Sequence, residues 1–449
     1  MRGRMTLTLL IVFVLLATLL YFFEFKGDTQ RKEHERNEGL VFKVPLDSIA
    51  VFSLSANNQD LTLQNKDGCW NITAPVTTEA DSYAVTSVLK AILDTKIERL
   101  ITDSATDLEQ YGLEQPRGSV TLTRFGGEEQ KLLVGTENPT GGFIYVKFET
   151  VQPIYTVASS LWNQINKQPF DLRDKKIVHF KSPDVVEFEI DSKTKGRVLL
   201  KREGGDWVIS EPVQLKANFS EVESFLSRLT NGRIKEFIEE SPTGIRRYGL
   251  LKPLIAIHIA CKDEQAGTSL IVGDSLEGEE TGFYAREKSR PSLFTLESWT
   301  VKNLNKGPFD FQEKKLINTN SANVTRIVVK RDEELGIVAQ YDSAKWKLVC
   351  PDSLTIDDNR VRSWVNAIRN YEVDELVSYQ PAAMTRYGLG QPAIRIILYQ
   401  NDLELGQILI GKKVGDYFYT KSADQPYVYQ VKAAKVREIE KEIQDFAVL

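Results

Sequence analysis

Only three cysteines (Cys69, Cys261, Cys350) and three histidines (His34, His179, His258) occur in 449 residues, and no two share a local context. With no C-x-x-C pair, a zinc ribbon or a thioredoxin-like redox couple is excluded. The cysteines therefore read as small buried hydrophobes. There is no excess of basic charge, with 57 Lys and Arg against 62 Asp and Glu for a net charge of −5, which argues against nucleic-acid binding. G-x-S-x-G, H-E-x-x-H, the P-loop and a strand-borne G-x-G-x-x-G are all missing, so the common hydrolase, zincin, nucleotide and dinucleotide signatures are absent.

Long apolar runs are lacking too, save one. Met5 to Phe25 is uncharged except for Glu24 and follows Arg2 and Arg4. It is long enough to cross a bilayer as a helix. Its exit, Leu20-Tyr21-Phe22-Phe23, has no small-x-small cleavage pattern, and no cysteine follows, so it reads as a retained anchor and neither a signal peptide nor a lipoprotein leader. The short cationic tail points to a cytoplasmic N-terminus and an exported body. Lys26 to Gly39 reads as a polar stalk.

What the chain has in abundance is itself. Trp70, Trp207 and Trp346 each stand 41 residues before a Tyr-Gly-Leu triplet. Each is followed five positions on by Pro75, Pro212 or Pro351. The triplets begin at Tyr111-Gly112, Tyr248-Gly249 and Tyr387-Gly388 and end on Pro116, Pro253 and Pro392. Further on come Leu132-Leu133-Val134-Gly135, Leu270-Ile271-Val272-Gly273 and Leu409-Ile410-Gly411, each leading into an aromatic strand. The tryptophans are 137 and 139 residues apart, a domain's length and too long for a solenoid repeat. The reading is an anchor (1–25), a stalk (26–43) and three homologous domains (44–177, 178–316 and 317–449).

Within each copy, alternating segments predict strands, and a helix opens at Asp81, Asn218 or Asp357 as N-cap. Behind the caps run Val85, Val88, Leu89, Ile92; Val222, Phe225, Leu226, Leu229; and Val361, Trp364, Val365, Ile368. Burying four such side chains contributes roughly 6–12 kcal/mol gross per helix. About four strands and a short terminal helix follow. The fold expected is α+β, with three tandem domains, each a mostly antiparallel sheet with one main helix and a short terminal helix.

The repeated motifs read as structural: Trp as core, Gly as a backbone conformation closed to other residues, Leu as packing. Tyr145, Tyr284 and Tyr419 are the candidate ligand-facing aromatics. Asp171 and Asp310, each followed by lysines, suggest linker salt bridges. The nearest approach to an acidic cluster, Asp357-Asp358, reads as a helix cap. No catalytic residue, cofactor or metal is expected.

The anchor, W-x4-P, Tyr111-Gly112-Leu113-Glu114-Gln115-Pro116 with its two counterparts, and the aliphatic-Gly strand resemble a bacterial family built on a domain of unknown function. The resemblance covers residues 40 to 449. Its members are membrane-anchored and encoded beside ABC-2 type permeases and gliding-motility-like auxiliary subunits. It implies a non-enzymatic, inner-membrane, periplasm-facing accessory whose partners are permease or auxiliary subunits of an ABC transporter. The alternative is a glycan- or lipid-binding envelope module with aromatic clefts between repeats.

Overall fold

The computed structural model describes residues 39–447 except 105–106, 263–266, 277–280, 318–323 and 351–355. The predicted anchor, most of the stalk, and Pro351 lie outside the described residues. Among the described residues no helix is long and apolar enough to cross a membrane. The chain falls into two compact units, ending at Lys175 and starting at Lys176. The first holds one sheet and the second holds two.

The first sheet shows the plan. Its strands are β1 (Ile49–Ala56), β2 (Gln59–Lys66), β3 (Cys69–Ala74), β4 (Thr78–Glu79), β5 (Ile97–Thr102), β6 (Gly118–Arg124), β7 (Glu129–Glu137), β8 (Phe143–Phe148) and β9 (Ile154–Ala158). They lie in the order β4-β3-β2-β1-β6-β7-β8-β9-β5, and every neighbouring pair is antiparallel. Two meanders thus meet at β1 and β6, with Phe52 opposite Leu122 and Leu54 opposite Val120. The main helix α1 (Ser82–Leu93) carries the chain from one edge strand, β4, to the other, β5.

The second sheet repeats this order with nine strands between Val185 and Leu296, and the third has eight between Arg326 and Lys432 among the described residues. Each copy is therefore a large antiparallel sheet with helices on it, more β than the mixture expected. The difference comes from short edge strands, such as Ile97–Thr102, that have too few buried residues to show a pattern in sequence.

The helices begin where their caps predict. Asp81 accepts from the backbone N–H of Tyr83 and Ala84 at 3.0 and 3.1 Å, Asn218 from Glu221 at 3.2 Å, and Asp357 from Asn359 at 2.9 Å. The predicted stripes are the buried ones in all three helices. Trp70, Trp207 and Trp346 are 6, 1 and 5% exposed, one in each of three separate cores.

Each domain is closed by its Pro-Phe-Asp or Gln-Asp phrase. The carbonyls of Leu172, Phe311 and Phe446 accept from the N–H of the cap residues Asp81, Asn218 and Asp357 at 2.8, 2.7 and 2.9 Å. Asp171, Asp310 and Asp445 each accept from the N–H three residues earlier, at 2.8, 2.9 and 2.8 Å, and so hold a single closing turn. That capping is the role all three share; only Asp310 also forms side-chain ion pairs among the described residues, with Lys195 at 2.9 Å and Lys306 at 3.8 Å.

Candidate functional site

The two strongest motifs turn out to be halves of one contact. Tyr111, Tyr248 and Tyr387 end short 3-10 turns, and the next glycine takes φ of +64, +72 and +68°. A side chain in that left-handed conformation is strained. The turn brings the tyrosine carbonyl against Gly135, Gly273 or Gly411 of the strand 24 or so residues on. A Cβ there would sit 2.0, 2.0 or 2.3 Å from the carbonyl oxygen, so only glycine fits. Each of these strands has a register shift that spans that glycine. Leu113, Leu250 and Leu389 are then buried at 2, 4 and 4% exposure on the sheet face opposite the main core. Pro116, Pro253 and Pro392 stand two residues ahead of the strands that follow, and the peptide bonds before Pro75 and Pro212 are cis.

Tyr145, Tyr284 and Tyr419 stand beside this contact. Each half-buried ring packs on its motif tyrosine, at centroid distances of 5.0, 4.7 and 5.0 Å. In the second copy the Tyr248 hydroxyl also donates to the Glu239 carboxylate, which Arg247 pairs. That hydrogen bond, then burial, holds the phenol above its usual range.

A repeated cation completes the cluster and escaped the sequence reading, although the spacing Tyr-x-Lys/Arg is written three times. Lys147, Arg286 and Lys421 stand opposite Leu133, Ile271 and Leu409 on the same outer face. Lys147 donates to the carbonyls of Phe148 and Glu149 at 3.2 and 3.5 Å, and Arg286 to that of Arg290 at 3.4 Å. Burial lowers the Lys421 ammonium, against an opposing attraction from Asp424.

Copy-specific groups gather elsewhere, inside the second unit. Between the second and third sheets lies a cleft of about 800 Å³. Pro212, Phe309, Leu376 and Tyr379 give it apolar walls, with Lys195 and Arg197 at its polar end. The Tyr379 hydroxyl donates to Gln312 Oε1 at 3.1 Å, and its ring meets Tyr427 edge-on at 5.4 Å. Phe309 faces Tyr429 at 6.4 Å, with Lys314 at 5.4 Å from the Phe309 ring centre. Burial raises the phenols of Tyr371 and Tyr379, and pushes Tyr429 up to about 12. All three stay protonated donors at neutral pH. Only Tyr379 of the three lines the cleft, and its phenol with the paired charges of Lys195 and Arg197 makes a lining suited to an organic surface rather than to coordinating a metal.

The acidic pair is engaged in structure. Asp357 caps its helix, and Asp358 accepts from the Trp346 N–H at 2.6 Å and pairs with Arg362 at 2.6 Å. The backbone hydrogen bond, then Arg362, lowers the Asp358 carboxyl. His258 is exposed on a strand, between Glu189 and Ser269. The cysteines are free; Cys261 is buried as expected, but Cys69 is exposed at the start of β3 and Cys350 half-exposed, so the small-hydrophobe reading holds for one of three.

A mostly β protein of three like sheets, whose shared signature residues hold one contact in each copy, is the class these features define. The tryptophan-to-tryptophan periods match a family described as a domain of unknown function (DUF4340), at residues 70–208, 207–347 and 346–448. The chain belongs to that family, with each match starting on a signature tryptophan. Comparison with curated proteins gives no match. Among solved structures, DNA polymerase III subunit beta from Borrelia burgdorferi in complex with a natural product is similar over 90% of this chain and 96% of that one. At 9% identity and a TM-score of 0.13 that likeness carries no argument.

Proposed function

We propose that this is a non-enzymatic, single-pass inner-membrane protein whose three domains stand in the periplasm and bind protein partners of an ABC-type transport or envelope-assembly system. The observation that carries this reading is how the repeated polar and aromatic residues are used. Tyr111, Tyr248 and Tyr387 pack on Tyr145, Tyr284 and Tyr419 in each copy, and their carbonyls seat on glycine. The common residues maintain a scaffold, and binding falls to residues that differ between copies. The Met5 to Phe25 stretch supplies the anchor, with the N-terminus cytoplasmic. Permease and auxiliary subunits are the partners proposed. Purification in mild detergent should recover them with the chain, and recovery of the chain alone would count against the proposal.

A glycan- or lipid-binding reading draws on one observation, the aromatic cleft of the second unit. Its support comes from Phe309 and Tyr379, because Tyr145, Tyr284 and Tyr419 spend a face on the motif tyrosines. Glycan pull-down with Phe309→Ala and Tyr379→Ala variants tests it; retention by the native protein and loss by both variants would favour it.

A further inference from the structure

We infer that the cleft between the second and third sheets captures an extended peptide segment of a partner protein, added as a further strand beside Glu375–Ser378. This deepens the partner-binding reading above and rests on it.

Among the described residues Glu375–Ser378 pairs only with Val428–Lys432 and forms one edge of the third sheet. Successive N–H groups of a strand point alternately to its two sides. The Asp374 N–H donates to Gln430, toward the sheet, and the Val373 N–H donates the other way, to Lys314 at 3.1 Å. By that alternation the Glu375 N–H faces the open side, in line with an edge that already accepts main-chain pairing. Lys315 extends that pairing through a bridge to Glu372. An incoming strand would continue the line of the linker.

The walls suit side chains of such a strand. Pro212, Pro308 and Phe309 on one side and Leu376 and Tyr379 on the other are rigid apolar surfaces with little rotamer freedom to lose. The charges select among ligands. Lys195 is paired with Asp310 at 2.9 Å, and Arg197 with Glu189 and Glu211 at 2.7 and 3.1 Å, so an anion would have to displace an existing partner. Glu375 is exposed and makes no ion pair among the described residues. The peptide that fits is apolar or aromatic at alternate positions, with a Lys or Arg opposite Glu375. Main-chain hydrogen bonds supply affinity in this mode, and wall pockets supply specificity.

The test uses the full chain in detergent and linear ten-residue peptides selected from a random displayed library. Binding of the best peptide is measured by fluorescence polarisation, and each of its backbone nitrogens is methylated in turn. Expected is a loss of binding on methylation at every second residue, since only alternate N–H groups face the edge. Phe309→Ala and Tyr379→Ala should each weaken binding roughly tenfold or more. The methylation series needs no altered protein, so a variant that fails to fold does not blunt the test.

Selection of no peptide, indifference to methylation, or binding unchanged in both variants would overturn the proposal. So would protection of Glu375–Ser378 from hydrogen exchange by chitohexaose or by lipid vesicles and not by peptide. If transporter subunits co-purify equally with native and Phe309→Ala protein, the groove proposal fails while the accessory role stands. If they co-purify with neither, the accessory role fails.

Discussion

The second and third domains share a scaffold, yet they present different chemistry at one edge. Sixteen and eight residues before the motif tyrosine, the third domain has Tyr371 and Tyr379 where the second has Gly232 and Glu240. Around the start of the last strand it has Tyr427 and Tyr429 where the second has Ser292 and Phe294, each pair flanking the buried Val428 or Leu293. The scaffold positions between them keep their roles: a capping Asn or Asp, an apolar helix stripe, the tryptophan and the glycine–carbonyl contact recur in both. Conserving what holds the sheet while varying what lines its edge separates stability from recognition. The following predictions press on that separation.

The largest effect belongs to the shared part. Trp207 is 1% exposed and packs against Phe188 at 5.4 Å, so Trp207→Ala should cost about 4 kcal/mol in urea unfolding of its domain. Equivalent changes at Trp70 and Trp346 should cost about as much. A domain that tolerated the loss would break the claim that the three indoles are equivalent.

Next comes the backbone contact. In Gly273→Ala the new methyl would stand 2.0 Å from the Tyr248 carbonyl, and the turn or the strand must shift. A cost of roughly 3 kcal/mol, with weakened near-ultraviolet circular dichroism as the Tyr248–Tyr284 pair loosens, is expected. A neutral substitution would mean the motif does not need its glycine.

Much of this scaffold was legible in the sequence, because its determinants are local. A cap and a 3.6-residue stripe lie within one helix, and a strand's alternation lies within six residues. The glycine–carbonyl contact was half legible: the motifs were seen, but the fact that they touch depends on a turn folding onto a strand some 24 residues away. The lysines after Asp171 and Asp310 suggested charge pairing, yet among the described residues Asp171 only caps and Asp310 pairs instead with Lys195 and Lys306, while Asp445, which has no such lysines, caps in the same way. The edge strand Glu375–Ser378 has four residues with none fully buried, so it left no periodic trace. The cleft was the least legible. Phe309, Tyr379 and Tyr429 are spread over 121 residues and meet only once two sheets and a linker are in place.

The third prediction concerns pH and separates the two domains directly. Tyr371, Tyr379 and Tyr429 have phenols raised by burial, Tyr429 to about 12, whereas burial is secondary to Glu239 at Tyr248. A raised folded value means the unfolded tyrosine ionises first. The stability these groups contribute is present below about pH 10 and is lost as pH rises toward 12. For Tyr429 that is on the order of 2 kcal/mol. Phenolate absorbance and hydrogen exchange followed together should show the third domain opening at lower alkaline pH than the second. Simultaneous opening would erase the distinction.

The smallest effect is the most diagnostic. Tyr379→Phe keeps the ring that lines the cleft and removes only the hydroxyl that donates to Gln312. Gln312 is 2% exposed and its Nε2 already lacks a partner, so the change leaves the amide without this donor at its oxygen. Roughly 1–2 kcal/mol should be lost, from the third domain and its junction with the second. Binding should divide differently: if the cleft recognises a strand through its aromatic wall, Tyr379→Phe retains affinity that Tyr379→Ala loses. Equal loss in both would mean that the hydroxyl, and through it the linker, sets the width of the cleft, and that recognition there depends on how the two sheets are joined.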